Sequence, residues 1–475
     1  MTVRVSGTKS FVFLGIDLGT SGMRVVALSE QGERVGKAER PWDPPETNPG
    51  RWLRTLKALL GQLTSQLGDG YSIAALSACS TSGTVLPVDG RGMPLEQAWL
   101  YSDPRGQAQA KQLGIPSSWG LSRWLWWAES YPERYRESYL AHPADFLLGQ
   151  LGGRKGVTDH THALKSGFDL ETYTWPKAWL SQQGLNPKHF PEVVAPGTVL
   201  GTVGSEWGLG PEVLIAAGIT DGCAGQLAAG ATRLGQVSTS LGTTLIFKAN
   251  SPDSVQTQNI YSHLHPDKTG WWPGAASFCG GGVLPHYFPV GDFQALDHQA
   301  QAHLPTGLVS YPLWQPGERF PIVDARFAGF LPEADVGSPR FYAALLEGVA
   351  MVERLGLETL LAQGIPLQEP IFTTGGGSKS PLWLRLRASI LRRPLALVKY
   401  PEPAIGAAIL AASAHWCCSV QQAAERLVQV ERSIQPEPEW VEPYAESYAA
   451  FQARLKSLSY SPLRPGHTGV SAGHV

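Results

Sequence analysis

The feature that most constrains the fold is a strand–turn–strand pattern that occurs twice in the chain. Residues 11–18 and 23–30 are apolar runs typical of strands, and the turn between them is rich in Gly, Thr and Ser. Residues 237–249 repeat the pattern around a second Leu-Gly-Thr triplet. Because similar runs alternate with helical patterns elsewhere, the sequence predicts an α/β fold. The recurrence predicts two related halves, with chance recurrence of a short triplet as the alternative.

The length of the chain also favours two halves. Its 475 residues exceed the size at which a single core usually keeps growing. We therefore expect domains at 11–225 and 226–435. Residues 440–458 predict one charged amphipathic helix, and 459–475 are expected to be disordered.

Composition excludes several classes of partner. The formal net charge of -2 provides no basic field for nucleic acid or an anionic membrane. No apolar stretch approaches the roughly 18 residues that a membrane span needs, and the N-terminus lacks the apolar core of a signal peptide. The five cysteines include no CxxC pair, which argues against a disulfide framework or a zinc site. We expect a cytoplasmic protein without a nucleic-acid or membrane partner.

Asp17 is the unusual residue of the first strand, because a carboxylate in an apolar run is costly unless it is paired, hydrogen-bonded or bound to a metal. The turn that follows can direct backbone N–H groups at an anion, since glycine permits close approach. Two such turns facing each other would hold the phosphates of a nucleotide, and Asp17 would then hold Mg²⁺. The alternative is a plain hairpin in which Asp17 accepts local N–H bonds.

Asp221 is a second carboxylate at a strand end, in the segment Thr220-Asp221-Gly222 before a run of small residues. A carboxylate at such a boundary is well placed to act as a general base. A helix that begins after Gly222 would favour its ionised form. The alternative is that Asp221 is a helix N-cap, a position where Asp is common.

A third feature is the glycine run at 375–377, which follows a strand and precedes a helix. Its bare backbone could lie against a nucleoside, although glycine clusters often form only turns. The chain has no GxxxxGK[ST] motif and no GxGxxG after the first strand. These absences disfavour a P-loop protein and a dinucleotide-binding fold.

In this order, GIDLGTSGMR, TDGCAGQLAAGA, SLGTT, GGGSKSPLW and EPAIGAAILA resemble the FGGY carbohydrate kinases, which have the two-domain actin/hexokinase/Hsp70 (ribonuclease H-like) fold. The resemblance runs from about residue 11 to 458 and includes CGGGVLPHYF at 279–288. It implies duplicated α/β halves with a cleft between them, the first binding sugar and the second nucleotide. It also implies that the helix at 440–458 returns to pack on the first domain.

The resemblance further implies a role for each matching residue. Asp221 would remove the proton of the sugar hydroxyl, and Asp17 would hold Mg²⁺ at the phosphate end of ATP. The residues that would bind the nucleotide are Gly19, Thr20, Ser21 and Gly22 in the first phosphate loop, Gly242, Thr243 and Thr244 in the second, Gly281 and Gly282 beside it, and Gly375, Gly376, Gly377, Ser380 and Trp383 around adenosine.

Two loops are predicted to face the sugar, at 80–84 and 101–105, with Ser82, Asp103 and Asp221 as its contacts. Short hydroxyls and a carboxylate suit a polyol. The loop has T-S-G where xylulokinases resemble G-Q-M-H-G, and it lacks the Arg-Glu pair of glycerol kinases, so it is closer to ribulokinases. The resemblance thus implies the ATP-dependent phosphorylation of a free ketopentose, with D-ribulose, converted to D-ribulose 5-phosphate, as the first candidate. We expect a monomer or homodimer. D-Xylulose, L-ribulose and another polyol are alternatives, as is a non-catalytic nucleotide-gated sugar sensor.

Three further groups of residues have a plain structural interpretation. The pairs His160/His162 and His263/His265 lack an evident third ligand, so a metal site is disfavoured. Cys223 is expected to be a buried thiol, and the tryptophans at 124–127 to be core residues. The arginines at 385–393 are expected to decorate the surface beside the nucleotide pocket.

Overall fold

The computed structural model describes residues 9–460, so most of the tail expected to be disordered lies outside the described residues. The N-terminal half contains eleven strands and eight helices. They are β1 (Ser10–Gly19), β2 (Gly22–Ser29), β3 (Arg34–Pro41), α1 (Pro49–Leu67), β4 (Tyr71–Ser80), β5 (Leu86–Val88), α2 (Gln107–Leu113), α3 (Gly120–Ser130), α4 (Pro132–Arg136), β6 (Tyr139–Ala141), α5 (Pro143–Leu151), β7 (Val157–Asp159), α6 (His160–Ala163), α7 (Lys177–Gln182), β8 (Glu192–Val194), β9 (Val199–Thr202), β10 (Leu214–Ala216), β11 (Ile219–Thr220) and α8 (Asp221–Ala229).

The C-terminal half, as described up to residue 460, contains seven strands and seven helices. They are β12 (Val237–Leu241), β13 (Leu245–Ala249), β14 (Tyr261–Leu264), β15 (Trp271–Ser277), α9 (Val283–Tyr287), α10 (Phe293–Ala300), α11 (Pro339–Ala362), β16 (Ile371–Thr374), α12 (Pro381–Leu391), β17 (Leu395–Val398), α13 (Pro403–Trp416), α14 (Val420–Leu427), β18 (Val430–Ile434) and α15 (Pro438–Ser457).

Each half is built on one large mixed sheet, and the two sheets share a strand plan. The first has the order β3-β2-β1-β4-β10-β9, with β11 also paired to β4. The second has the order β14-β15-β13-β12-β16-β17-β18. In both, three neighbouring antiparallel strands adjoin a parallel pair, at β1/β4 and at β12/β16. The two Leu-Gly-Thr turns occupy equivalent hairpins, so the predicted duplication of α/β halves is confirmed.

The passage between the halves differs from the expected boundary. A division between residues 225 and 226 falls inside α8, because this helix continues to Ala229 before β12 begins at Val237. The chain therefore crosses from one half to the other over 230–236.

Helix α13 joins the halves in space. It belongs to the C-terminal half in sequence, but its small side chains pack on β1 and β4 and against α8. A β-carbon on Gly15 would lie 1.7 Å from the Ala404 carbonyl oxygen, and one on Gly406 would lie 2.0 Å from the Ala224 carbonyl oxygen. The small residues of the AIGAAILAA run allow this close packing, and its partners are the first sheet and α8.

Helix α15 corrects an expectation. It was expected to pack on the first domain, but Tyr444, Tyr448, Phe451 and Leu455 are buried in the core of the C-terminal half. Phe451 lies beside the rings of Tyr311 and Phe330 in that core. The sequence shows that the helix has an apolar face. Which surface covers that face depends on the direction in which the chain leaves β18.

Among residues 9–460, no single helix is long and apolar enough to cross a membrane. Only α13 and α14 together reach that length and apolar character, and they are bent by 115° relative to each other.

Candidate active site

Three strand ends of the first sheet bring the predicted carboxylates together. Strand β4 pairs in parallel with β1, where Asp17 lies opposite Cys79, and with β11, where Thr220 lies opposite Ser80. Parallel strands end at the same edge of a sheet, and ligands of open α/β sheets bind at that edge. Asp17 and the Asp221 that follows β11 therefore lie at one edge.

Asp17 is almost fully buried, with 4% of its surface exposed. Its Oδ2 accepts a hydrogen bond of 3.3 Å from Arg24 Nη1, on the neighbouring strand, and Cys79 Sγ lies 3.6 Å from Oδ1. Burial, followed by the negative charge of Asp221, raises the pKa of Asp17 to about 6. The simple hairpin interpretation does not account for this residue, because the bonds it accepts come from side chains rather than from the turn.

Asp221 is partly exposed and begins α8, whose N-cap is Thr220. The N-cap alternative is therefore wrong by one position, and the helix begins at Asp221 rather than after Gly222. Its Oδ1 accepts a 2.7 Å bond from the Gly222 amide. Within residues 9–460 no hydrogen bond to Oδ2 is found, so this oxygen is available to a ligand in the cleft.

The two glycine-rich turns differ in how they are supported. Gly19 and Gly22 close the β1–β2 hairpin opposite each other, with Thr20 and Ser21 at its tip. In the β12–β13 turn, Gly242 N–H donates to the Thr244 carbonyl.

Gly281 and Gly282 hold the second turn from outside. Their amides donate to the Gly242 and Thr243 carbonyls, at 2.8 and 3.0 Å. The two predicted nucleotide contacts thus use these N–H groups to support the loop.

The glycine run after β16 packs against the second turn. At Gly375, with φ of 90°, a β-carbon would lie 2.5 Å from the Leu241 carbonyl oxygen, while Gly376 faces open space. Ser380 caps α12 by accepting from Trp383 N, and its hydroxyl donates to Asp297. The Trp383 indole is buried and donates to the Leu346 carbonyl. The polar groups of Ser380 and Trp383 therefore bond to other groups of the protein, and the two residues support the wall behind the turn.

A cavity of about 570 Å³ lies between the halves. Its walls include Asp221, Gly222, Ser240, Lys248 and Gly375. Sequence reasoning missed Lys248, whose only signal was a cation two residues beyond Ile246 on the same face of β13. It also missed Arg24, although this residue is the last of the GIDLGTSGMR motif.

The two loops predicted to face the sugar are joined by Arg123. Its guanidinium donates to the carbonyls of Gly83, at 2.8 Å, and Tyr101, at 3.5 Å, and to Ser117 and Ser118. Burial lowers its pKa to about 10, so it stays cationic at neutral pH.

The two predicted sugar contacts differ in their hydrogen bonding. Ser82 Oγ is buried without a partner among the described residues. Asp103 accepts bonds from Arg105 N and Nε. The structure thus brings the loops together and leaves the hydroxyl of Ser82 unbonded.

The remaining groups are structural, and two expectations change. The described cysteines are all unpaired, with Cys223 buried, and Trp124 and Trp127 are buried as expected. Arg387 is not a surface residue: it is fully buried and pairs with Glu353 at 2.7 Å. His160 and His162 lie in α6, and His162 does have further potential metal ligands beside it. His162, Asp159 and Asp145 place ligand atoms within 4.8 Å of one another.

Comparisons with known proteins agree with this geometry. The N-terminal domain of the FGGY family of carbohydrate kinases matches residues 12–228, and the C-terminal domain of that family matches residues 237–415. A xylulose kinase of Staphylococcus epidermidis is 25% identical over 489 aligned positions, which cover 94% of this chain and 96% of the relative. A xylulose kinase of Streptomyces coelicolor is 26% identical, covering 86% of this chain and 89% of the relative.

Solved structures share the fold. A xylulose kinase from Brucella ovis superposes with a TM-score of 0.83 at 24% identity, covering 94% of this chain and 99% of the other. A glycerol kinase from Plasmodium falciparum with ADP gives 0.79 at 18% identity, covering 94% and 98%. Both halves of the chain, in their order and over most of their length, are matched by one family. The protein belongs to the FGGY family of carbohydrate kinases.

Proposed function

We propose that the protein transfers the γ-phosphoryl group of ATP to a free ketopentose, with Asp221 as the general base. The observation that carries the proposal is the joint placement of Asp17 and Asp221 at one sheet edge, where Asp221 lines a cavity together with Ser240 and Lys248 of the second glycine-rich hairpin. The free Oδ2 of Asp221 would accept the proton of the attacking hydroxyl. Catalysis would otherwise come from positioning and charge neutralisation, as in other phosphoryl transfers.

The surroundings of Asp17 fit a divalent cation. Its carboxylate is buried and is repelled by Asp221, and within residues 9–460 its one charged hydrogen-bond partner is Arg24. A hard cation such as Mg²⁺ prefers carboxylate oxygen and would relieve both costs. Asp17 would hold it, and the bound ion would supply neutralisation of phosphate charge.

Lys248 is proposed as the cation of the second half of the site. Its ammonium faces the cleft near the start of α8, since a β-carbon on Gly222 would lie 3.5 Å from Nζ. Its described hydrogen bond, to Cys223 Sγ, is weak at 3.9 Å. An ammonium held this way can approach a phosphoryl oxygen without first leaving a carboxylate.

D-Ribulose is the first candidate acceptor because the T-S-G loop carries short hydroxyl side chains, which suit a polyol. D-Xylulose, which differs from it in configuration at one carbon, is the second candidate. It is favoured by the relatives named xylulose kinases.

The test is ADP release with ATP, Mg²⁺ and a panel that includes D-ribulose, D-xylulose, L-ribulose and glycerol. We expect one ketopentose to stimulate the wild type, and Asp221→Ala to lower kcat by about 10²–10⁴-fold, the usual contribution of a general base. Asp69→Asn is the matched control, because Asp69 is exposed just before β4, at the opposite end of that strand.

Two results would contradict the proposal in different ways. If no sugar stimulated ADP release by the wild type, the kinase assignment would fail and the sugar sensor would be favoured. If Asp221→Ala kept full turnover, the assignment of the base alone would fail.

A further inference from the structure

Asp159 is a fully buried carboxylate that the proposed chemistry does not use. It caps α6, and its Oδ1 accepts from the amides of Thr161 and His162 and from the Thr161 hydroxyl, at 2.8, 3.1 and 2.5 Å. Its Oδ2 accepts from His162 Nδ1 at 2.5 Å. These bonds, with the neighbouring His162, hold the pKa of Asp159 at about 2 although burial opposes ionisation. So many donors on one carboxylate indicate a fixed, ionised group.

The first connection from Asp159 reaches the proposed base. The Thr161 hydroxyl donates to Asp159, and its oxygen accepts a 2.8 Å bond from the Thr220 amide. Thr220 is the residue before Asp221, and its own side chain makes no capping bond. The start of α8 is therefore held by Thr161 rather than by a local cap.

The second connection reaches the sugar loop. His162 bonds Asp159 through Nδ1, and its Nε2 shares a hydrogen bond of 2.9 Å with the Ser80 hydroxyl. Ser80 Oγ in turn accepts from the Ala144 amide at 3.1 Å. Ser80 ends β4 and is the first residue of the predicted sugar loop at 80–84.

We infer that Asp159 is a positioning residue that fixes the base segment and the sugar loop relative to each other, through Thr161 to Thr220 and through His162 to Ser80. All five residues are buried, with at most 1% of their surface exposed, so none is placed to contact substrate. This inference rests on the proposed function, because it needs Asp221 as the base.

The same contacts argue against two other roles for this cluster. A metal ion at Asp145, Asp159 and His162 would displace the proton that His162 Nδ1 shares with Asp159, while Asp145 Oδ2 already faces His142. The Ser80–His162–Asp159 order resembles a hydrolytic triad, but Ser80 is inaccessible and its oxygen accepts a backbone amide. These contacts therefore favour a structural role of the cluster over metal binding and over hydrolysis.

The first test is Thr161→Val, which keeps the shape of the side chain and removes the bond to Thr220. We expect kcat to fall about 10–100-fold with the KM for sugar changed less than about threefold, because small misplacements of a reacting group are costly. Thr161→Ser, which keeps the hydroxyl, should restore kcat. Thr158→Val is the matched control: Thr158 is equally buried in the adjacent strand, but its hydroxyl bonds His142.

The second connection predicts the opposite kinetic signature. Ser80→Ala cuts the bond to His162 and is expected to raise the KM for sugar more than it lowers kcat. It also keeps the inference testable if Thr161→Val does not fold.

Hydrogen exchange at the Thr220 amide gives a readout that does not depend on activity. Exchange at this amide should quicken in Thr161→Val but not in Thr158→Val or Thr161→Ser. A wild type without sugar-stimulated turnover would refute the proposed function, while the exchange experiment would still judge the network. Equal exchange and equal kcat in Thr161→Val and Thr158→Val would overturn the inference.

Discussion

Two charged residues of the cleft, Asp17 and Lys248, differ in whether a group of opposite charge lies beside them. Asp17 has Arg24 beside it, and Arg24 also lies 3.5 Å from Glu39. Lys248 has no carboxylate within ion-pair distance in the described part of the chain, and its methylene stem lies along β15 at Gly274. A partly buried ammonium without a counter-ion is costly. A bound phosphate group would remove that cost.

At the scale of one residue, the variant Lys248→Met tests whether the Lys248 ammonium binds a phosphate group of ATP. The variant keeps most of the apolar stem and removes the charge, so we expect kcat/KM for ATP to fall at least about tenfold, with thermal stability unchanged or raised. Steady-state kinetics against ATP at fixed sugar measures the effect. Lys57→Met, at an exposed position on α1, is the control. Unchanged kinetics with ATP would exclude Lys248 from phosphate binding.

At the scale of elements, the contact of α13 with α8 is the critical one, because α8 begins at Asp221. Both helices consist largely of small residues, and Gly406 lies where the backbones approach most closely. The small residues of α13 allow it to pack tightly. The sequence did not indicate that α8, which carries the proposed base, is the partner.

Gly406→Ala is expected to be destabilising and to lower turnover. The new methyl would lie 2.0 Å from the Ala224 carbonyl oxygen, and overpacking of this kind typically costs about 1–3 kcal/mol. Thermal unfolding and kcat measure the two effects. Gly61→Ala in α1 is the matched control, since nothing lies within 4 Å of its position, and removing a mid-helix glycine should stabilise by roughly 0.5–1 kcal/mol. A Gly406→Ala variant as stable as Gly61→Ala would contradict the close contact.

At the scale of the whole molecule, the packing of α15 is expected to stabilise the C-terminal half rather than the N-terminal half. Phe451→Ala removes a fully buried ring, for which about 3–5 kcal/mol of destabilisation is expected. Hydrogen exchange should quicken in the second sheet and leave the β1–β4 strands protected. Lys456→Ala, at an exposed position of the same helix, is the control. Faster exchange confined to the first sheet would support the original expectation that the helix packs there.

The sequence by itself determined the local features of this protein. Alternating apolar runs, glycine-rich turns and carboxylates at strand ends identified β1, β4, α8 and the two hairpins, because each depends on neighbours a few residues away. Asp17 and Asp221 were found in this way, and the order of the motifs identified the family.

Only the tertiary structure decided which surfaces and charges meet. The periodicity of α15 shows that one face is apolar but not which half covers it. The charge of Arg387 suggested solvent, yet Glu353, on another helix, makes its burial possible. The bond from Thr161 to Thr220 joins segments 59 residues apart, and β13 brings Lys248 to the start of α8. Such pairings depend on contacts distant in the chain, whose residues carry no local pattern that names their partners.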